Sequence, residues 1–250
     1  MSFKPRIYLL AISLLFLGSC STKYALVKSN RAEYNINKDV AVDSSIIKLY
    51  LPYKTQLDVE MNTVIGHSAV TLAKQTNTPE SVLGNFFADA VLQQALKITS
   101  NIDFVFPTTK GGLRNDIEKG PITVAAVFEL MPFENQLVLI ELKGSDVLNV
   151  LNFIAGTDGQ PVARLKMNIK DRKAEQVIIN GKPFDVNKNY FVLTSDYIAN
   201  GGDDSKGFSN PVSRKNIGLL VRDALLNEVK ETEKSGKEIN TKLDGRITKN

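Results

Sequence analysis

A single cysteine, a single histidine and no dense run of basic residues limit this chain before any motif is read. The lone cysteine, Cys20, excludes an internal disulfide, so a packed core must hold the fold together. The lone histidine, His67, lies in Ile65-Gly66-His67-Ser68, with acids scattered elsewhere. Hydrolysis at two metal ions requires several histidines and carboxylates grouped around the ions and the attacking water. One histidine does not supply that set, and His67 reads as structural or exposed, the alternative being a single metal ligand. Lysine and arginine number 31 against 27 acids, a net charge of +4 to which Lys4 and Arg6 contribute two. Without a basic stripe, that balance gives no support to nucleic-acid binding. No internal repeat is present.

Residues 1–20 read as a targeting segment. Lys4 and Arg6 give a positive start, residues 7–17 form an apolar run too short for a comfortable membrane span, and small residues follow. Leu17-Gly18-Ser19-Cys20 resembles a bacterial lipobox, with Cys20 the lipidated residue. The other reading is an ordinary signal peptide with an incidental cysteine. Several acyl chains on Cys20 would anchor the protein firmly, where one alone binds marginally. Ser21 after Cys20 is similar to lipoproteins sorted outward, so the expectation is a lipid-anchored cell-envelope protein on the outer membrane, facing the periplasm. Residues 21–42 are polar and aperiodic, a tether holding the domain off the membrane.

The remaining chain is long enough for one large domain or two small ones. From Ser44 the pattern becomes regular. Residues 79–98 predict a helix, because Leu83, Phe86, Phe87, Ala90 and Val91 recur at three- and four-residue steps, with Pro79 in its first turn and Glu80 at its positive end. Residues 102–106 predict a strand and 108–112 the loop leaving it. Residues 136–142 form an apolar strand, followed by a helix bearing Val147, Val150, Leu151 and Ile154, with Ser145 as its cap. Leu165, Met167 and Ile169 alternate, and residues 176–179 and 190–193 suggest further strands around an Asn180-Gly181 turn. Ile217, Leu220, Val221, Ala224 and Leu225 mark a last amphipathic helix, and residues 230–242 a charged surface segment. Helices and strands interspersed in this way predict one layered α/β domain of mixed (α+β) type.

Three segments carry candidate chemistry. In Asp196-Tyr197-Ile198-Ala199-Asn200-Gly201-Gly202-Asp203, the glycine pair permits a sharp bend that returns Asp203 to Tyr197. A ring beside a fixed carboxylate is either an ordinary turn or one wall of a site for a planar, hydrogen-bonding ligand. In Thr109-Lys110-Gly111-Gly112-Leu113-Arg114, backbone N–H groups and a guanidinium fork suit a phosphate, unless the loop merely ends in a surface arginine. In Met131-Pro132-Phe133-Glu134-Asn135, Phe133 is a core residue or a stacking face, and Asn135 is able to read a base edge.

Taken in order, these segments resemble the C-terminal domain of the 5′-nucleotidase family. Glu80-Ser81-Val82-Leu83-Gly84-Asn85 is similar to its helix-opening motif. Gly111-Gly112-Leu113-Arg114, Leu130-Met131-Pro132-Phe133 and Asn200-Gly201-Gly202-Asp203 resemble its three signature loops, and Asp244-Gly245-Arg246-Ile247 its closing segment. The resemblance runs from about residue 43 to 247 and implies a single domain over residues 43–250. It implies a base stacked between Phe133 and Tyr197, about 1–3 kcal/mol per stacked base. It also implies nucleoside hydrogen bonds from Asn135 and Asp203, and a phosphate loop of Gly111 and Gly112 with Arg114 as the phosphate-binding arginine. Tyr197 stands where phenylalanine is typical, keeping the ring and adding a hydroxyl. Lys110 replaces a small residue, where it either adds charge or blocks the site.

Full-length members of that family carry an N-terminal metallophosphoesterase domain with two metal ions and a catalytic histidine. The resemblance therefore implies that this chain is the substrate-recognition half of a 5′-nucleotidase-like nucleotide hydrolase, with no catalytic residue and no cofactor of its own. A separately encoded metallophosphoesterase subunit would be its partner and would carry the divalent metals. The competing reading is a non-catalytic nucleoside- or nucleotide-binding lipoprotein, and a third is a scaffold whose pocket has decayed.

Overall fold

The computed structural model describes residues 24–38, 40–75 and 77–249. Residues 1–20, expected to be a targeting segment, lie outside the described residues, Cys20 among them. The chain divides between Leu49 and Tyr50 into two units. In the first, residues 24–38 and 40–42 are exposed and belong to no helix or strand. Helix α1 (Ser44–Met61) crosses the division, contains Pro52 and buries no residue. No helix among the described residues is long and apolar enough to cross a membrane.

The second unit continues with β1 (Val64–Ser68), α2 (Val82–Leu96), β2 (Phe104–Phe106), β3 (Gly120–Thr123), α3 (Val124–Leu130), β4 (Gln136–Lys143) and α4 (Gly144–Gly156). Then come β5 (Leu165–Lys170), β6 (Lys173–Ile179), β7 (Lys182–Pro183), β8 (Asn189–Ser195), α5 (Asp196–Ala199), β9 (Ser213–Leu220), α6 (Val221–Lys234) and β10 (Ile247–Lys249). A central sheet has the order β2-β8-β4-β9, a second the order β10-β5-β6-β7, and β1 pairs with β3.

Side chains alternate across a strand, and in the central sheet both faces are apolar. Val105, Leu137, Leu139 and Leu193 join one core with Leu83, Phe87 and Val91 of α2 and Leu225 and Val229 of α6. Phe104, Phe106, Val138, Ile140 and Val192 join another with Val147, Leu151 and Ile154 of α4 and Leu165, Met167 and Ile179 of the second sheet. The central sheet is thus the middle of three layers. This explains why β4 reads as an unbroken apolar run rather than an alternating one. The fold is the single mixed α/β domain expected from the sequence.

Several boundaries differ from the sequence reading. Helix α2 starts at Val82, because the Ser81 hydroxyl accepts the Gly84 N–H at 3.0 Å and caps it. Pro79 and Glu80 therefore precede the helix. Helix α4 starts at Gly144, so Ser145 sits in its first turn and makes no cap. The glycine is required there, since a Cβ would lie 2.4 Å from the Val186 carbonyl oxygen. Ile217 and Leu220 belong to β9, which pairs with β4 and sets Leu220 opposite Gln136, and α6 begins only at Val221. Their spacing to Val221, Ala224 and Leu225 imitates a helical stripe across a strand-to-helix junction.

The first and last motifs lock the two ends of this unit together. Glu80 is buried and one of its carboxylate oxygens accepts from Asn85 Nδ2 at 2.6 Å and from the Asp244 N–H at 2.7 Å. Arg246 is buried, and all five of its N–H bonds have acceptors: both carboxylate oxygens of Asp89, both of Asp244, and the Val162 carbonyl, at 2.8–3.0 Å. Burial disfavours its charge, but the bonds to Asp89 and Asp244 outweigh that and hold it firmly protonated.

Candidate functional site

Strand direction decides what meets at the end of the central sheet. β2 and β8 run parallel with Phe106 opposite Thr194, and β4 runs antiparallel to β8 with Leu137 opposite Ser195. The loops after β2 and after β8 and the loop before β4 therefore leave the sheet at one end. These loops hold residues 109–114, 196–204 and 131–135. Hydrogen bonds connect them: the Gln136 N–H donates to Asp196 Oδ1 at 3.1 Å, the Arg114 N–H to the Leu130 carbonyl at 2.9 Å, and the Thr109 hydroxyl to Asp203 Oδ2.

The Tyr197 platform is built by local geometry. The Ser195 hydroxyl accepts the Ile198 N–H and starts the short helix α5. Gly201 then takes φ +87°, a left-handed conformation that glycine adopts without strain. At Gly202 a Cβ would lie 2.5 Å from the Tyr197 ring, so the ring rests on bare backbone. The turn brings Asp203 back to the ring's tip. Tyr197 Oη donates to Asp203 Oδ1 at 2.8 Å and accepts the Asp203 N–H at 3.2 Å. That carboxylate bond raises the Tyr197 phenol pKa. Asp203 itself is left-handed at φ +52°, a conformation costing a side-chain-bearing residue about 1–2 kcal/mol, and is held there by these bonds.

Neither ring is sealed in the interior: Phe133 is 40% exposed and Tyr197 44%. The carbonyl of Phe133 accepts from Arg222 Nη1 at 3.4 Å, and the Arg222 guanidinium lies over the Phe128 ring, 4.1 Å from its centroid. Asn135 is half-buried, its carbonyl accepts the Val221 N–H at 2.9 Å, and among the described residues its side-chain amide has no hydrogen bond. It remains available to a ligand.

On the anion side, Lys110–Gly112 form a single 3-10 turn. A Cβ at Gly112 would lie 2.0 Å from the buried Thr108 hydroxyl, whereas one at Gly111 would make ordinary contact at 3.5 Å. Arg114 is exposed, and its guanidinium makes one long bond, 3.4 Å to the Gly111 carbonyl. Lys110 is tied to neighbouring segments rather than left free. Its ammonium donates at 2.8 Å to the carbonyls of Thr78 and of Asp158, and its N–H to Gln160 Oε1 at 2.7 Å. Partial burial pushes the lysine pKa down. The residue straps the turn to its neighbours.

His67 stands apart from these loops in β1 and pairs through Nδ1 with Glu233 at 3.1 Å. Among the described residues no three His, Cys, Asp or Glu side chains group as a metal site. The residues present do not fit a two-metal centre.

A family model for the 5′-nucleotidase, C-terminal domain, matches residues 64–210. This chain belongs to that family. This chain is 31% identical over 202 residues to protein UshA of Yersinia enterocolitica, an alignment covering 75% of this chain and 34% of that protein. It is 27% identical over 219 residues to the trifunctional nucleotide phosphoesterase protein YfkN of Bacillus subtilis, covering 78% of this chain and 14% of the relative. The crystal structure of the 5′-nucleotidase precursor from Thermus thermophilus aligns with a TM-score of 0.66 at 27% identity, over 81% of this chain and 42% of the other. The chain spans no more than 34% of the length of these two curated relatives.

The sequence reading singled out Phe133, Asn135, Tyr197, Asp203, Gly111, Gly112 and Arg114, and the structure gathers their loops at one sheet end. It did not single out Thr109, Gln160 or Arg222, which hold those loops. Their partners stand 94, 50 and 89 residues away, so spacing along the chain carries no signal of them.

Proposed function

We propose that this domain is the nucleotide-recognition half of a 5′-nucleotidase-like hydrolase, and that a separately encoded metallophosphoesterase supplies the two-metal chemistry. The observation carrying this reading is the convergence of three family loops with two half-exposed rings at the end of one sheet. Phe133 and Tyr197 would take the base between them, and Asn135 and Asp203 would hydrogen-bond the nucleoside. Arg114, with the N–H groups around Gly111 and Gly112, would take the phosphate. This chain's own residues bind and orient; a single histidine paired with Glu233 leaves hydrolysis to the partner. Divalent metals would sit in that partner, polarising the phosphoryl group and the attacking water. Lipidation at Cys20 would hold both halves at the outer membrane on its periplasmic side.

The test is nucleotide hydrolysis by this protein alone, by a metallophosphoesterase lacking such a domain, and by the two mixed. Mixing should raise the partner's kcat/KM, and an unchanged rate rejects the split enzyme. The internal bonding of the Tyr197–Asp203 platform favours one second reading, a binding lipoprotein that needs no partner. Nucleoside binding by this chain, with no effect on the partner's rate, would select it.

A further inference from the structure

We propose that Thr109 is a positioning residue that fixes the Tyr197–Asp203 platform in register with the Gly111–Arg114 loop, so that both halves of the ligand site are set before a nucleotide arrives. This rests on the reading of the site given above. It assigns a role to a residue that the stacking, nucleoside and phosphate roles leave unused.

Thr109 is buried, at 5% exposure, immediately ahead of the Lys110–Gly112 turn. Its carbonyl accepts the Gly112 N–H at 3.0 Å, which makes Thr109 part of the anion loop's own framework. A threonine hydroxyl has one proton to donate, and here it goes to Oδ2 of Asp203. The other oxygen, Oδ1, takes the Tyr197 hydroxyl, and the Asp203 N–H returns to that hydroxyl. Asp203 is thus held at both carboxylate oxygens and at its backbone, in a left-handed conformation that costs a side-chain-bearing residue energy. Among the described residues, the Thr109–Asp203 bond is the side-chain hydrogen bond that joins residues 109–114 to residues 196–204. The Tyr197 ring is fixed by the same set, since its tip is bonded to Asp203 and the Gly202 backbone lies against its ring carbons.

Fixing the platform in advance removes a cost that ligand binding would otherwise carry. Without the Thr109 hydroxyl, Asp203 keeps its bond to Tyr197 but loses its link to the anion loop. The carboxylate and the ring are then free to move together. The consequence reaches the ligand although Thr109 need not touch it.

The test compares Thr109→Val, which keeps the shape and removes the hydroxyl, with Thr109→Ser, which restores it. Adenosine, guanosine, cytidine and uridine, with their 5′-monophosphates, are titrated calorimetrically. In parallel, amide hydrogen exchange is followed for residues 202–205 without ligand. Thr109→Val should weaken the best-bound nucleoside about fivefold to tenfold and speed exchange in 202–205 by a similar factor, with the unfolding midpoint lowered only modestly by the lost hydrogen bond. Thr109→Ser should stay within about twofold of the parent on both readouts. Exchange and affinity in Thr109→Val equal to the parent's overturn the proposal, as does a serine variant no better than the valine one. If the parent binds no nucleoside or nucleotide, the functional reading fails instead, and the exchange measurement alone decides the positioning role.

Discussion

Two arginines in motifs singled out from the sequence show how one residue type serves opposite ends. Arg246 is 8% exposed and every N–H it owns is bonded within the domain. Arg114 is exposed, and its one internal bond is a long one to the carbonyl of Gly111. A guanidinium whose donors are all satisfied has nothing left to offer a ligand, and its removal leaves carboxylates unmatched. A guanidinium with unused donors beside a glycine turn contributes little to folding and is available to an anion. A sequence motif marks both alike. Donor-by-donor accounting separates them.

The largest expected effect breaks the comparison on the structural side. Arg246→Met removes the charge facing Asp89 and Asp244. Breaking a fully buried pair costs about 3–5 kcal/mol. Here the two carboxylates are 43% and 42% exposed and can rehydrate, so about 2–3 kcal/mol is expected. Urea unfolding followed by circular dichroism reads it as a lower midpoint. A variant as stable as the parent would mean that the clamp is ornamental and the contrast with Arg114 empty.

Next in size are the rings. Phe133→Ala and Tyr197→Ala should each lower nucleoside affinity by about 1–3 kcal/mol. Phe133→Ala should shift unfolding by no more than about 0.5 kcal/mol, as expected of a residue 40% exposed, and Tyr197→Ala, which also loses its two hydrogen bonds to Asp203, by about 1 kcal/mol. Calorimetric titration and denaturation of the same samples separate the two quantities. A large stability loss would return Phe133 to the core, the alternative its chemistry first allowed.

Arg114→Gln sharpens the comparison from the ligand side. Affinity for a 5′-monophosphate should fall about tenfold, the loss of one or two charge-assisted hydrogen bonds, while affinity for the matching nucleoside holds within about twofold. The nucleotide's advantage should also shrink as salt is raised in the parent, and much less in the variant. Equal losses for nucleoside and nucleotide would place Arg114 elsewhere than on the phosphate.

The sequence yields most where the physics is local. The β4 run, the alternation of Leu165, Met167 and Ile169, and the Gly201-Gly202 turn beside Tyr197 are all set by neighbouring residues, and each is found as read. The reading falters where a distant partner decides. Ser145 has the chemistry of a cap, but the helix starts two residues earlier than such a cap would set, at Gly144, where the close approach of Val186 requires a glycine. Ile217 and Leu220 keep helical spacing, but both lie in β9, the strand that pairs with β4. Helix α1 contains Pro52, and β1 and β3 are short, so none announces itself. In the site, the motif loops are legible, but what holds them is not. Thr109 finds Asp203 across 94 residues, and Arg246 finds Asp89 across 157. Even Lys110, conspicuous inside a glycine turn, turns out to be a strap because Thr78 and Asp158 present carbonyls to it.

The smallest expected effect is a pH dependence that the Arg246 clamp alone predicts. Hydrogen bonds from the Arg246 guanidinium hold the Asp244 carboxyl below the ordinary aspartate range. A carboxyl depressed in the folded state contributes stability that is fully present above its unfolded value, about 3.9. The contribution is lost as pH falls through the lower folded value. Stability of the parent should therefore decline below about pH 4, partly through this group. In Arg246→Met the guanidinium bonds are gone while the backbone N–H of residue 246 still donates to Asp244 Oδ1, so the folded value moves toward the unfolded one and the acid decline should flatten in part relative to the parent, after subtracting the constant loss at pH 7. Urea midpoints collected from pH 7 to pH 3 on both proteins give the difference directly. Parallel curves would show that Asp244 draws nothing from Arg246 in solution. The ligand-side arginine supplies the control, because Arg114 bonds only to a carbonyl and its replacement should leave the shape of the acid decline untouched.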